Sequence, residues 1–204
     1  MVMAGGKGRR MKLSVEKPLI EINEIKMIEY VIRALSVSSK IDRIFVAISS
    51  NSPETENWLA NIENNDHINI TRVINTSGNT YISDMVEAVI DSNTKGPILI
   101  IMADLPMVTS MMINKIIDRY EKVPQSALSV YNLISSYFNY GLNPELVFNN
   151  YNQLIVPIGI NIVNADIIDV EQDDYNYILE DHELVINVNT QQDLEVCINI
   201  MKKV

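Results

Sequence analysis

One cysteine, Cys197, serves a chain of 204 residues, so neither an internal disulfide nor a cysteine-built zinc site can form. Histidine is nearly as scarce. His67 and His182 stand far apart in polar contexts, and no Ser-His or Cys-His arrangement accompanies them. Apolar runs such as PILIIM fall well short of the roughly 18 to 20 residues that span a bilayer. No charged segment leads into a signal-peptide core, so the expected location is cytoplasmic, with no membrane partner. Linkers, low-complexity tracts and fixed-period repeats are also missing. At this length that predicts a single domain over residues 1–204.

Positive charge is in short supply as well. The net charge is −10, yet residues 1–17 hold Lys7, Arg9, Arg10, Lys12 and Lys17 against Glu16 alone. That stretch carries +4, which leaves −14 on the remaining 187 residues. A field of this sign repels a polyanion, and no extended basic stripe occurs elsewhere, so nucleic acid is excluded as a partner. A basic loop that binds one small, highly charged ligand fits the pattern better.

Short runs rich in Val and Ile alternate with segments of helical periodicity, the mark of an α/β fold with a mostly parallel central sheet and three layers. Strands are expected at Met1 to Ala4, Arg43 to Ile48, Asn69 to Ile74, Ile98 to Met102, Ala127 to Tyr131, Ile158 to Val163 and Leu184 to Val188. Four apolar stripes predict core-facing helices: Ile25, Ile28, Ile32 and Leu35; Ile82, Met85, Val86, Val89 and Ile90; Met112, Ile113, Ile116, Ile117 and Tyr120; and Leu194, Cys197, Ile198 and Met201. Open sheets of this kind bind ligands beyond the carboxyl ends of their strands. Both the loop after the first strand and Asp104, after PILIIM, fall on that edge.

Gly5, Gly6 and Gly8 allow the backbone to approach a ligand closely, so that amide hydrogens can converge on phosphate oxygens. The spacing excludes two familiar phosphate motifs. A P-loop needs GxxxxGK followed by Ser or Thr, which does not occur, and a dinucleotide fingerprint needs glycine where Met11 stands.

The pattern AGGKGRRM followed by EKPL instead resembles the signature GGxGxRM…KP of nucleotidyltransferases that join an NTP to a phosphorylated acceptor. The segments NTSGNTYISDM, VPIGINIV and VINVNTQQDLE extend the likeness over nearly the whole chain. Within the superfamily they look most like the adenosylcobinamide-phosphate guanylyltransferases of archaeal cobalamin synthesis. Arg9 departs from the pattern, since relatives carry a small residue such as Thr there, and the opening strand is shorter than theirs.

The resemblance implies a Rossmann-like nucleotidyltransferase fold, with GTP and adenosylcobinamide phosphate as partners and Mg²⁺ as cofactor. It implies that the acceptor phosphate attacks the α-phosphorus in line and that pyrophosphate leaves. A phosphate monoester has its second pKa near 6, so the nucleophile is already ionised and needs no general base. By the family motif Arg10 takes the β- and γ-phosphates with help from Lys7, Lys17 takes the α-phosphate, and Asp104 holds the metal, Asp84 being a weaker choice. Ala4, Gly5, Gly6, Gly8 and Arg9 match the rest of the nucleotide loop. Asn51, Thr76, Ser77 and Gly78 match positions that face the purine, with Ser77 equally a helix cap, and Asn187 and Asn189 match a motif near the phosphates or metal.

The acceptor is not fixed by these residues. A molybdenum-cofactor guanylyltransferase, a sugar-1-phosphate enzyme and a non-catalytic GTP-binding regulator remain open, as does the choice between monomer and homodimer. Tyr137, Phe138, Tyr140 and Leu142 are candidate contacts for a broad apolar acceptor, beside the alternative of a surface loop packed on its neighbour.

Overall fold

A computed structural model describes residues 1–6, 15–62, 68–180 and 184–202. The chain runs through β1 (Val2–Met3), the hairpin β2 (Glu21–Ile22) and β3 (Ile25–Lys26), α1 (Met27–Ser36), β4 (Phe45–Ser49), α2 (Pro53–Asn61), β5 (Arg72–Thr76), α3 (Tyr81–Ser92) and β6 (Pro97–Met102). It continues through α4 (Ser110–Tyr120), β7 (Ala127–Leu133), α5 (Ile134–Phe138), β8 (Phe148–Asn150), β9 (Gln153–Asn164), β10 (Asp174–Ile178) and α6 (Gln191–Met201).

The main sheet has the order β10-β7-β9-β6-β1-β4-β5, with β8 added to β9. β5, β4, β1 and β6 are parallel neighbours, whereas β9 runs against β6, β7 and β8. One antiparallel strand thus divides an otherwise co-directional sheet. β1 lies inside the sheet between β6 and β4, paired on both sides through Val2 and Met3. Apolar side chains on both faces explain why β4 and β6 read as continuous hydrophobic runs.

The strand pleat sorts its residues between two helical layers. Val2, Val46, Ile48, Leu99 and Ile101 meet α1, α2 and α4 through Ile28, Ile32, Leu59, Ile113 and Ile116. Met1, Met3, Phe45, Ala47 and Ile100 meet α3 through Ala88 and Val89. Each fully buried Ile or Leu contributes about 1.5 to 3 kcal/mol relative to exposure, so the two layers fix the sheet firmly. The expected α/β class, with its mostly parallel sheet, is the observed one.

Several local expectations are corrected. Leu184 to Val188 forms no strand, because β10, a polar segment, holds the edge beside β7. The 184–188 segment is buried all the same, and Val185 N–H donates to the Asn132 side chain at 3.0 Å. Ile25 lies in β3 and not on the first helix. In α3 the face toward the sheet passes through Ala88, Val89 and Ser92, while Ile82 and Ile90 are 67% and 63% exposed. Ala88 and Val89 pack against the sheet, which leaves the isoleucines on the opposite side of the helix. The strand expected at Asn69 to Ile74 begins at Arg72, and that expected at Ile158 to Val163 begins at Gln153.

Candidate active site

At the carboxyl edge of the parallel strands lies an open cleft of about 620 Å³. Its glycine end is built by β1, β4 and β5. Ala4 N–H still pairs with Ala47 O at 2.8 Å, and the chain then leaves the sheet at Gly5 and Gly6. The Ser49 hydroxyl donates to Gly5 O at 2.8 Å, and Asn51 Nδ2 donates to Ser49 Oγ at 3.2 Å and to Gly78 O at 3.4 Å. A side chain at Gly78 would be strained: its φ is +72°, and an added Cβ would stand 2.5 Å from Asn51 Nδ2, which would have to move. A Cβ at Gly5 would come within 3.0 Å of the Ser49 backbone nitrogen.

Asp84 keeps the following turn in shape by accepting the Gly78 and Asn79 amides at 2.9 and 3.3 Å. The cap of α3 is Thr80, in a reciprocal box with Ser83, and not Ser77. Ser77 is exposed and does not line the cleft; Glu87 accepts both its amide and its hydroxyl at 2.7 Å. Those two bonds hold the Glu87 carboxyl below the usual carboxylate range. Thr76 lines the cleft, with its hydroxyl donating to Ile48 O at 2.9 Å.

The other end is charged. Lys17 Nζ forms an ion pair with Asp104 and donates to Asn189 Oδ1 at 2.8 Å. Both charged side chains are largely buried, 14% and 9% exposed. Val188 N–H donates to Asp104 O at 3.1 Å, which seats the NVN segment against the end of β6. Two buried oxygens here, Asp104 Oδ1 and Asn187 Oδ1, accept no hydrogen bond. Lone pairs of that kind, buried beside a cleft, suit a cation or a ligand donor.

Glu16 aims Lys17. Its carboxylate accepts the Glu54 and Thr55 amides at 2.8 Å and the Thr55 hydroxyl at 2.6 Å, capping the amino end of α2. Pro18 and Leu19 are buried next to it. In the sequence Glu16 reads only as the lone acid of a basic stretch. Its partner is 39 positions away, and no local pattern links the two. Lys17 and Asp104 were likewise expected in separate roles, and the fold joins them as a pair.

Ala4, Gly5, Gly6, Lys17, Asn51, Thr76, Gly78, Asp84, Asp104, Asn187 and Asn189 therefore share one cleft. Lys7, Gly8, Arg9 and Arg10 lie outside the described residues, as do His67 and His182. Of the aromatic segment, Tyr137 and Leu142 belong to the core, which removes them as ready acceptor contacts, whereas Phe138 and Tyr140 are exposed. Among the described residues no group of three His, Cys, Asp or Glu could hold a metal, and no helix is long and apolar enough to cross a membrane.

A glycine exit from the inner strand β1, a lysine and an aspartate at the ligand edge, and a sheet split by one antiparallel strand describe a nucleotidyltransferase fold. The family model of the MobA-like NTP transferase domain matches residues 1–133, and the chain belongs to that family. Over its full length the chain is 36% identical to the adenosylcobinamide-phosphate guanylyltransferase of Methanocaldococcus jannaschii, of which it covers 97%. Two solved structures share the fold at low identity. One is a CMP:2-keto-3-deoxy-manno-octonic acid synthetase complexed with CTP (TM-score 0.70, 14% identity, 100% of this chain and 98% of that one). The other is assigned as a glucose-1-phosphate thymidylyltransferase from Bacillus anthracis, in complex with a sucrose (TM-score 0.74, 10% identity, 100% and 94%).

Proposed function

We propose that this protein transfers GMP from GTP to adenosylcobinamide phosphate, forming adenosylcobinamide-GDP and releasing pyrophosphate. The observation that carries the reading is the Lys17, Asp104 and Asn189 cluster beside the glycine exit, in a chain that aligns end to end with a guanylyltransferase. In this reading the triphosphate lies along Gly5 and Gly6, with Arg10 and Lys7 on its β- and γ-phosphates, and the purine lies toward Asn51 and Gly78. The α-phosphate meets Lys17.

The acceptor phosphate is its own nucleophile, so the chain's task is to bring two anions together and to stabilise charge on the departing pyrophosphate. Lys17 already neutralises Asp104, which removes the repulsion a bare carboxylate would exert on the triphosphate. As the α-phosphate arrives, the ammonium gains a second anionic partner without crossing the cleft. Asn189 keeps it oriented meanwhile.

Asp104 Oδ1 and Asn187 Oδ1 are hard oxygen donors without partners, a set that fits Mg²⁺ completed by phosphate and water oxygens. A cation bound there supplies further stabilisation of charge on the reacting phosphates. Pyrophosphate release from purified protein, measured with each of the four NTPs and adenosylcobinamide phosphate, tests the proposal. Turnover with GTP that disappears on chelation of Mg²⁺ is expected. Turnover confined to another NTP, or to a sugar phosphate or molybdopterin acceptor, would overturn it.

A further inference from the structure

The glycine end and the charged end of the cleft stand on different elements, yet one side chain outside the cleft joins them. Glu16 does not line the cleft. Its carboxylate holds the start of α2 through the Glu54 and Thr55 amides and the hydroxyl of Thr55, a fully buried residue. Its backbone begins the turn that carries Lys17: Leu19 N–H donates to Glu16 O at 2.8 Å, and Leu19 packs in the same core layer as Leu59 of α2. The main chain and side chain of this one residue therefore keep α2 and Lys17 in a fixed relation.

On its other side α2 is tied to the glycine end. Ser52, the residue before α2, is fully buried, and its amide and hydroxyl donate to Ser49 O at 3.0 and 3.1 Å. Asn51 N–H donates to Ser49 Oγ at 3.2 Å, and the same hydroxyl donates to Gly5 O. Asn51 Nδ2 spans Ser49 and Gly78. Residues 49–52 thus form one tight turn that leads directly into the amides held by Glu16. A shift of Asn51 moves the first turn of α2 with it, and Glu16 passes that shift to Lys17, whose ammonium lies between Asp104 and Asn189.

We infer that Glu16 is a positioning residue that couples the Asn51 side of the cleft to Lys17, so that a nucleotide seated at Asn51 sets the ammonium on the α-phosphate. This rests on the guanylyl-transfer reading above. A carboxylate suits the task, since the amino end of a helix offers it unpaired amides and a positive potential. Bonds to an ionised acceptor are short and strong, so displacements of α2 are transmitted and not absorbed. Lysine needs such a guide, because its charge sits on a flexible stem with no fixed geometry of its own.

Steady-state kinetics with GTP and adenosylcobinamide phosphate, beside calorimetric GTP binding, test the coupling. Glu16→Ala should lower kcat about 10- to 100-fold, the loss expected when a reacting group is misplaced by about 1 Å. GTP affinity should stay within about three-fold, the split that marks an effect on the reacting step. Glu16→Gln keeps the size of the side chain and an oxygen for the Thr55 hydroxyl, so it should fold and show only part of the kcat loss. Asn51→Ala should lower kcat in the wild-type background but by no more than about two-fold in Glu16→Ala, where the path is already cut. A lower melting temperature with wild-type kcat in both Glu16 variants would reduce Glu16 to a helix cap, and full additivity with Asn51→Ala would put the two residues on separate paths. Either result overturns the coupling while leaving guanylyl transfer intact. Wild-type protein inactive with this acceptor would instead remove the reaction on which the coupling stands.

Discussion

At the glycine end of the cleft, Gly5, Ser49, Asn51 and Gly78 are packed so tightly that a single added methyl would collide, and hydrogen bonds join each to the next. At the Asp104 end, charged side chains meet in an ion pair and two buried oxygens wait without donors. The first region is rigid and satisfied before any ligand arrives. The second holds internal partners that a triphosphate or a cation can complete. In the proposed reading, binding geometry and reactivity are built from different materials: backbone and small side chains at one end, exchangeable charges at the other. A fixed backbone loses little entropy on binding, and preorganised charge acts where it develops in the transition state.

The sharpest way to break this comparison is at the charged end. Asp104→Asn preserves size and leaves Lys17 an oxygen partner, so stability should hold. Turnover should fall by about 100- to 1000-fold, the range seen when one preorganised electrostatic contact is lost. Lys17→Ala should lose turnover more than GTP affinity, and it also leaves the Asp104 carboxylate without its cation. Kinetics beside calorimetric GTP binding separate these effects. Near-normal turnover in Asp104→Asn would make the charged end a structural ion pair and nothing more.

A middle-sized effect belongs to the glycine end. Gly78→Ala demands a left-handed backbone from a residue with a Cβ and pushes that Cβ into Asn51. The cost should be about 1 to 3 kcal/mol of stability, read by urea unfolding, with GTP affinity weakened about ten-fold as the turn yields. If unfolding and affinity both stay as in the wild type, the end is not rigid and the contrast collapses.

The smallest effect concerns the tie between Ser77 and Glu87, which steadies the same turn from outside. The folded Glu87 carboxyl lies below its ordinary value of 4.5, so its contribution to stability is complete above that value and fades as pH falls through the folded pKa. Melting curves of wild type and Glu87→Gln should differ slightly near pH 7 and converge in acid. A difference that grows as pH falls would assign the bond the wrong sign.

The readable parts of the molecule were those written in neighbouring residues. PILIIM is a buried strand, Ile113 and Ile116 face the core, and the glycine loop with EKPL identified the family. β10 is not legible in the sequence because DYNYI alternates polar residues with tyrosines and resembles a loop in composition. The buried segment at Leu184 to Val188 misled in the opposite way, since its hydrophobicity reflects burial against the core and not a place in the ladder. The stripe on α3 is legible, but which of its residues face the sheet is set by the packing of Ala88 and Val89.

By itself the sequence determined the α/β alternation, the phosphate-suited loop after the first strand and the family, because each rests on residues within a few positions of one another. Only the tertiary structure decided that Lys17 meets Asp104 across 87 positions, that Lys17 meets Asn189, and that Glu16 caps α2. Those contacts depend on strand order. The end of β6 seats the NVN segment at the cleft through the Val188 amide and Asp104, and no local periodicity records which segments become neighbours.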